Sequence, residues 1–560
     1  MKTIQKTIQY IATVLAIPLL MLLITLPLSA QDRGEPEEGV EEFVFKGESG
    51  PPPIVLPPAR KGEVFDTTLY ALLPGDTLIF GERITNLQGD GGRLPVYGEF
   101  DDPLVVNVEG SIGTYVSPRG GVSLEYAVDR WNGRGLLDIG STAGHVEGAE
   151  ASSLLFDGHL EYQIPGQLPS PGKARAGLGI SFGSDSYKLY GNSVAPFDRT
   201  RSIFDLDLGM ASETDATFDY QVNLSVESVS LNDDTLGVAS KVSALTPTFG
   251  AHFRLGNDSL NVSAGVRYQS TSLDYDTITS NPDFVEASGM VEWSPSPGLF
   301  VTAGGIIAHG GFSDSGSSTL LMPRGAIRYE VSENLAIFGR FAPELRAPSY
   351  RSRIMQASYV NREITLRPEK VLIRGGGGVR LTAGKFNIEG EAFFEKSENR
   401  PVVTLVGEAG ELRWSHRDSR TVGVRGGLNA TVGEKIALFG ELTIANSVDE
   451  VTDEQLPMHS TIEAEGRVNF SLTDEIHIFG TLNFVGEQNI TSDFTTLPAG
   501  IERTIDPQFL LGGGAEYRLT NDPNVSLFAE VTNLLAQSYQ WWQNYEAPGL
   551  ELRVGARARF

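Results

Sequence analysis

From about Pro103 to Phe560, apolar and polar residues alternate with a period of two, the mark of strands with one apolar and one polar face. In 385–395, Phe386, Ile388, Gly390, Ala392 and Phe394 share one face; Lys385, Asn387, Glu389, Glu391, Phe393 and Glu395 share the other. In 371–381 an apolar face of Val371, Ile373, Gly375, Gly377, Val379 and Leu381 backs onto Arg374, Gly376, Gly378 and Arg380. The last segment puts Leu550, Leu552, Val554, Ala556, Ala558 and Phe560 opposite Glu551, Arg553, Gly555, Arg557 and Arg559. Helical periodicity is almost absent from this region.

One form of short turn recurs. Glu330–Asn334, Thr431–Lys435, Ser471–Glu475 and Leu519–Asn524 each lead directly into a new alternating run. Tyr329, Phe470 and Tyr517 sit beside these turns, where an interfacial aromatic girdle belongs. Connections at the other strand ends are longer: 345–368, 447–458, 487–505 and 537–547. A soluble sandwich also alternates, but its strands average about 5–6 residues. These runs reach the 9–11 or so residues that cross a bilayer at a tilt. In hydrocarbon only a closed barrel satisfies strand backbones. The expected fold is therefore an all-β, antiparallel transmembrane barrel over 103–560. About 22 strands fit the spacing, within an even-numbered range of roughly 16 to 24. A secreted all-β repeat protein is the competing reading.

The N-terminus differs. Lys2 and Lys6 precede an apolar run from Ile11 to Leu26, then Pro27, Leu28, Ser29 and Ala30. This is the layout of a signal peptide over 1–30, so the mature chain is expected to begin near Gln31. A membrane anchor is the alternative, although the run is short for a span. Residues 31–102 form an acidic, proline-rich leader: Asp32–Glu48 carries seven acids and two bases, followed by Pro51, Pro52, Pro53, Pro57 and Pro58. Strands are suggested at Thr67–Leu73 and Asp76–Ile84.

Composition removes whole classes. The 44 Lys+Arg against 71 Asp+Glu give a net charge of −27, which repels a nucleic-acid backbone. With no cysteine there is no disulfide scaffold, cysteine nucleophile or lipoprotein anchor. His145, His159, His252, His309, His416, His459 and His477 show no metal-ligand spacing, and no catalytic set emerges. The Gly375–Gly378 run lies inside a strand with no following helix, so it reads as a small-residue stripe and not a phosphate loop. No cofactor is expected.

Two stretches resemble the barrel of TonB-dependent outer-membrane receptors. The first is Phe341-Ala342-Pro343-Glu344-Leu345-Arg346-Ala347-Pro348-Ser349-Tyr350, followed by Leu366-Arg367-Pro368-Glu369-Lys370 and Gly390-Glu391-Ala392-Phe393-Phe394. The second is Leu527–Leu535, then Tyr539, Pro548-Gly549 and a final strand ending in Phe560. The resemblance implies an outer-membrane location and solute uptake. The family's plug domain is not visible in 31–102, and Glu42–Lys46 is a poor match to a TonB box, which places a TonB partnership in doubt. Outer-membrane proteins in general imply that Phe560 is a barrel-assembly signal read by the assembly machinery.

The functional candidates follow from the polar faces. Arg374, Arg380, Glu389, Glu391, Glu395, Arg553, Arg557 and Arg559 are expected to line the lumen, tuning solute selectivity or pairing with one another. Trp541, Trp542 and Tyr545 are candidate ligand contacts in a long loop, or else interfacial anchors or loop packing. The expected partners are outer-membrane lipid, the assembly machinery and a soluble periplasmic or surface protein. The expected function is passage or uptake of solutes across the outer membrane. The alternatives are an energised receptor with a reduced or separate plug, and a structural or docking barrel.

Overall fold

The computed structural model describes residues 104–560, except 165–173, 192–196, 213–217, 236–237, 258, 276–277, 312–315, 348, 407–410, 434, 492–502 and 522. The boundaries at 30 and 102, the strands suggested at 67–84 and the TonB-box candidate lie outside the described residues.

Twenty-two antiparallel strands close into one barrel. They begin with β1 (Leu104–Gly113), β2 (Ser117–Val128), β3 (Trp131–Thr142), β4 (Ala151–Ile164), β5 (Ala174–Lys188), β6 (Asp198–Ser212), β7 (Phe218–Thr235) and β8 (Val238–Gly256). Next come β9 (Leu260–Ser270), β10 (Asp283–Ser296), β11 (Leu299–Gly311), β12 (Ser317–Ser332), β13 (Leu335–Phe341), β14 (Glu369–Ala383) and β15 (Phe386–Val406). The wall ends with β16 (Glu411–Val432), β17 (Ile436–Asp449), β18 (Ile462–Ser471), β19 (Ile476–Val485), β20 (Gln508–Asn521), β21 (Asn524–Thr532) and β22 (Glu551–Arg559). β22 pairs with β1 from Asn107↔Arg559 to Gly113↔Arg553, which abolishes the free edge. Val106 and Phe560 exchange backbone hydrogen bonds at the seam (3.1 and 2.9 Å).

The period of two sets the two faces. Ile373, Val379, Leu381, Ile388, Val422, Val424, Leu527, Leu552 and Val554 point outward and stay exposed, as lipid contact requires. On the alternate positions of the same strands, Arg374, Arg380, Glu389, Glu391, Arg425, Glu530 and Arg553 point inward. Two inward glycines in β14 are needed. A Cβ at Gly376 would collide with the Glu391 carboxylate, and one at Gly378 with the Gly390 carbonyl and the Phe338 ring.

The short turns, including 333–334 and 472–475, lie at the end that also holds Leu104 and Phe560. Outward Trp131, Trp293, Tyr329, Phe386 and Tyr517 mark that rim. The long connections lie at the opposite end. There lie the two largest buried apolar clusters among the described residues, one around Tyr359, Trp542 and Tyr545 and one around Tyr350, Ile354 and Leu273. The one helix among the described residues, α1 (Tyr350–Gln356), sits in the 347–368 connection, with the Ser349 hydroxyl accepting from the Ser352 N–H at its N-cap.

Candidate functional site

The inner face of β12–β16 carries a ladder of opposite charges. Hairpin register puts Arg380 across from Glu389, and its Nε and Nη2 donate to Oε2 at 2.9 and 2.8 Å. Glu391 lies between two arginines: Arg425 of β16 donates at 2.6–2.7 Å, and Arg340 of β13 also pairs with it. Glu395 meets Arg374 at 3.3 Å, Arg346 at 3.5 Å and Arg400 at 3.5 Å. Glu344 takes Arg374 at 3.0 Å, and Glu369 takes Arg346 at 3.0 Å. With Arg324 near Glu344, seven arginines face five glutamates on this wall. A second hub stands at the seam, where Arg557 of β22 reaches Glu109, Glu516 and Glu530 on β1, β20 and β21.

The mouth at the loop end is crossed by the connection 347–368. It leaves β13 and returns to β14, yet it docks on β5–β7, about a third of the way round the barrel. Arg199 of β6, 2% exposed, donates through Nη1 to the carbonyls of Ser358 and Val360 at 2.8 and 2.7 Å. Its Nε and Nη2 grip Asp233 of β7 at 2.7 and 2.8 Å. Arg201, 1% exposed, donates to the Ile354 carbonyl and the Ser358 hydroxyl, both at 3.1 Å, and pairs with Asp185. Tyr187 Oη donates to the Ser358 carbonyl at 3.0 Å, and Arg351 donates to Asp205 at 2.7 Å. On another side of the mouth, the Asn361 N–H donates to the Leu412 carbonyl of β16 at 2.9 Å. A charge-assisted bond to a buried carbonyl is stronger than a neutral one, so this strap is held by its backbone as well as by its apolar side chains.

Beside the strap lies a cavity of about 210 Å³, lined among others by Arg199, Asp233, Tyr359, Asn361, Arg362 and Tyr545. Tyr359 and Tyr545 stack there with ring centroids 4.1 Å apart. Burial pushes the Tyr545 phenol above its ordinary range, so it stays neutral in water at any physiological pH.

His145, in the loop after β3, approaches the Glu546 carbonyl at 2.7 Å and so ties two loops together. Burial holds its imidazole below the ordinary value. The folded value is thus lower than the unfolded value of about 6.5, and protons favour the loosened state. The acceptor at Glu546 favours the protonated ring, but burial outweighs it, so the stability of the folded loops is complete above that value and declines as pH falls through it. Thermal unfolding from pH 7.5 to 5 is expected to show a larger loss for the native chain than for His145→Gln.

The candidates from the sequence are placed as follows. Arg374, Arg380, Glu389, Glu391, Glu395, Arg553, Arg557 and Arg559 all occupy inward register positions. The first five fall in three neighbouring sets of ion pairs on one wall (Arg380 with Glu389; Glu391 with Arg340 and Arg425; Arg374 and Glu395 with Arg346, Arg400 and Glu344), and Arg557 is the seam hub. Trp542 and Tyr545 are buried at 2% and 4% in the loop cluster, so their rings pack the mouth, with Tyr545 also facing the cavity. The placement of the Trp541 side chain lies outside the description. Phe560 is outward and exposed at the seam. The arginines of β6 were not singled out from sequence, although Arg199 and Arg201 stand on the inward register of an otherwise ordinary strand.

A paired polar interior, a lipid-facing belt and a packed set of long loops define a particular kind of outer-membrane barrel. Residues 72–534 match the family described as TonB dependent receptor-like, beta-barrel. The chain belongs to this family. No curated protein matches the sequence at a significant level. Among solved structures, a mutant form of the ferric enterobactin receptor PfeA of Pseudomonas aeruginosa aligns with 13% identity and a TM-score of 0.64, covering 83% of this chain and 81% of that one. The FrpB iron transporter of Neisseria meningitidis aligns with 10% identity and a TM-score of 0.65, covering 82% of each chain. The siderophore receptor PirA of Acinetobacter baumannii aligns with 14% identity and a TM-score of 0.63, covering 83% and 81%. At these identities the likeness is one of fold. Membership places this TonB-dependent receptor-like barrel in the outer membrane, in a class of receptors and transporters that serve solute uptake.

Proposed function

We propose that the protein passes a small solute from outside the cell through the barrel interior, with no chemical conversion on the way. The arrangement of the mouth supports this reading most directly. A polar, charge-paired inner wall is crossed at its loop end by a connection that is itself held through hydrogen bonds and ion pairs, as a controllable route needs and a purely structural cylinder does not. The inward charges Arg374, Arg380, Glu389, Glu391, Glu395, Arg553, Arg557 and Arg559 line the route, and the cavity beside Tyr359 and Tyr545 is where a solute first touches the protein. Solved relatives by fold are named as carriers of iron, siderophores and copper, so a metal chelate is the first solute to test.

Family membership favours a second reading, an energised receptor coupled to TonB whose plug is reduced or supplied by another chain. In the primary reading 1–30 is removed as a signal peptide and 31–102 is a periplasmic leader, too short for an ordinary plug. Phe560 is read by the assembly machinery. Planar-bilayer conductance of the refolded chain from Gln31, with and without 31–102, separates these readings. Steady conductance in the full mature form supports passage without energy input. Conductance in the truncated form alone makes the leader a plug and favours the energised reading. Silence from both, in barrels shown to be folded by heat-modifiable gel migration, overturns passage.

A further inference from the structure

We infer that Arg199 and Arg201 are the pins of a latch, and that the strap 347–368 swings away from β5–β7 when they let go. This rests on the passage reading above and adds the moving part to it.

The contacts of the strap are unevenly distributed. Its two ends are continuous with β13 and β14, so they cannot leave the wall. The middle, Tyr350 to Val360, is held on the far side by side chains of other strands. Five donated bonds from Tyr187, Arg199 and Arg201 converge on three carbonyls and one hydroxyl within 354–360. A helix of seven residues cannot persist alone in water, so α1 depends on this dock. The same two arginines are anchored to Asp233 and Asp185 on the barrel wall. They are therefore built into the rigid wall and present spare N–H groups to a mobile partner. The apolar contacts, Tyr350, Ile354 and Ile364 against Val229, Val242 and Leu273, give adhesion without direction. The arginines supply the register.

The cavity lies at this junction. Arg199 and Asp233 form its wall, and Tyr359, Asn361 and Arg362 of the strap form its facing side. A solute entering it sits between latch and pin, where it competes for the bonds that hold the strap down. Occupancy and opening are thus coupled through the same side chains.

The strap carries its own reporter. Arg351, Arg353 and Arg362 are trypsin sites within it, and cleavage tracks the population of the open strap when closing is fast. In refolded full mature chain, R199Q/D233N and R201Q/D185N remove each pin together with its anchor, so neither pin nor anchor is left as a lone buried charge; D233N also removes the 3.8 Å pair between Asp233 and Arg362 of the strap, itself part of the dock. Combining the two is expected to speed cleavage within 351–362 on the order of tenfold or more, the loss of several charge-assisted bonds. The milder pair Y187F/S358A, which leaves every charge in place, is expected to speed it severalfold. Heat-modifiable migration must remain intact, and cleavage elsewhere must not rise. Resistance of the strap equal to the native chain in both sets of folded variants overturns the latch. Bilayer conductance of the same proteins reads the passage function separately. Faster cleavage with higher conductance supports both readings. Faster cleavage with unchanged conductance leaves the latch standing and counts against passage.

Discussion

Replacing Glu391 by glutamine is expected to lower the unfolding free energy by about 3–5 kcal/mol, the cost of removing one partner from a buried ionic group. The carboxylate serves Arg340 and Arg425 at once, and all three side chains are at most 7% exposed. Glutamine keeps the volume and loses the charge, so two guanidinium groups face each other on neighbouring registers with no counter-charge between them. Phe338 and Phe393 under these arginines supply cation–π contact but no acceptor. Replacing all three together, Arg340→Met, Glu391→Leu and Arg425→Met, is expected to cost much less than the single change, because no uncompensated charge is left. Urea unfolding of the refolded protein in detergent micelles, followed by tryptophan fluorescence, gives both numbers. A single-variant loss below about 1 kcal/mol would mean that water reaches the ladder and screens it like a surface pair.

This triad also marks the limit of what sequence conveys. Arg374, Arg380, Glu389 and Glu395 are adjacent along a hairpin, so a two-residue turn at 384–385 and a period of two suffice to face them inward and opposite one another. Arg425 comes from the adjoining β16 and Arg340 from β13, two strands away across Gly376 of β14, at separations of 34 and 51 residues from Glu391. Their involvement depends on registers that no local pattern sets. Strand number was legible for the same local reason, since each turn and each alternating run is self-contained.

The strap was legible only in part. Its position as a long connection follows from the gap between Arg346 and Glu369. Its inward fold does not, because the partners Arg199 and Arg201 lie some 150 residues earlier. One signal was available in principle. Tyr350, Ile354, Tyr359, Val360, Ile364 and Leu366 make an apolar run too rich for a solvated loop, and such residues must bury against something. Trp542 and Tyr545 carry the same message, and both are buried in the loop cluster.

The seam provides the second large effect. Arg557→Leu is expected to cost about 2–3 kcal/mol, reduced from the fully buried case because Arg557 and Glu516 are partly exposed. The reason is topological. Arg557 holds Glu109 of β1, Glu516 of β20 and Glu530 of β21 from its place on β22, so one guanidinium links four successive strands across the point of closure. Removing it leaves three carboxylates without their shared cation at the junction where the first and last strands must meet. Lysine at 557 is expected to recover less than half of the loss, since a single ammonium cannot match the planar fork that serves three directions. Adding Glu530→Gln to Arg557→Leu removes one of the stranded charges and is expected to restore part of the stability, a coupling that a double-mutant cycle measures directly. Thermal midpoints and the yield of heat-modifiable barrel on refolding report the effect. Additive losses in the cycle would show that Arg557 and Glu530 act independently and that closure rests on the backbone ladder between β1 and β22 alone.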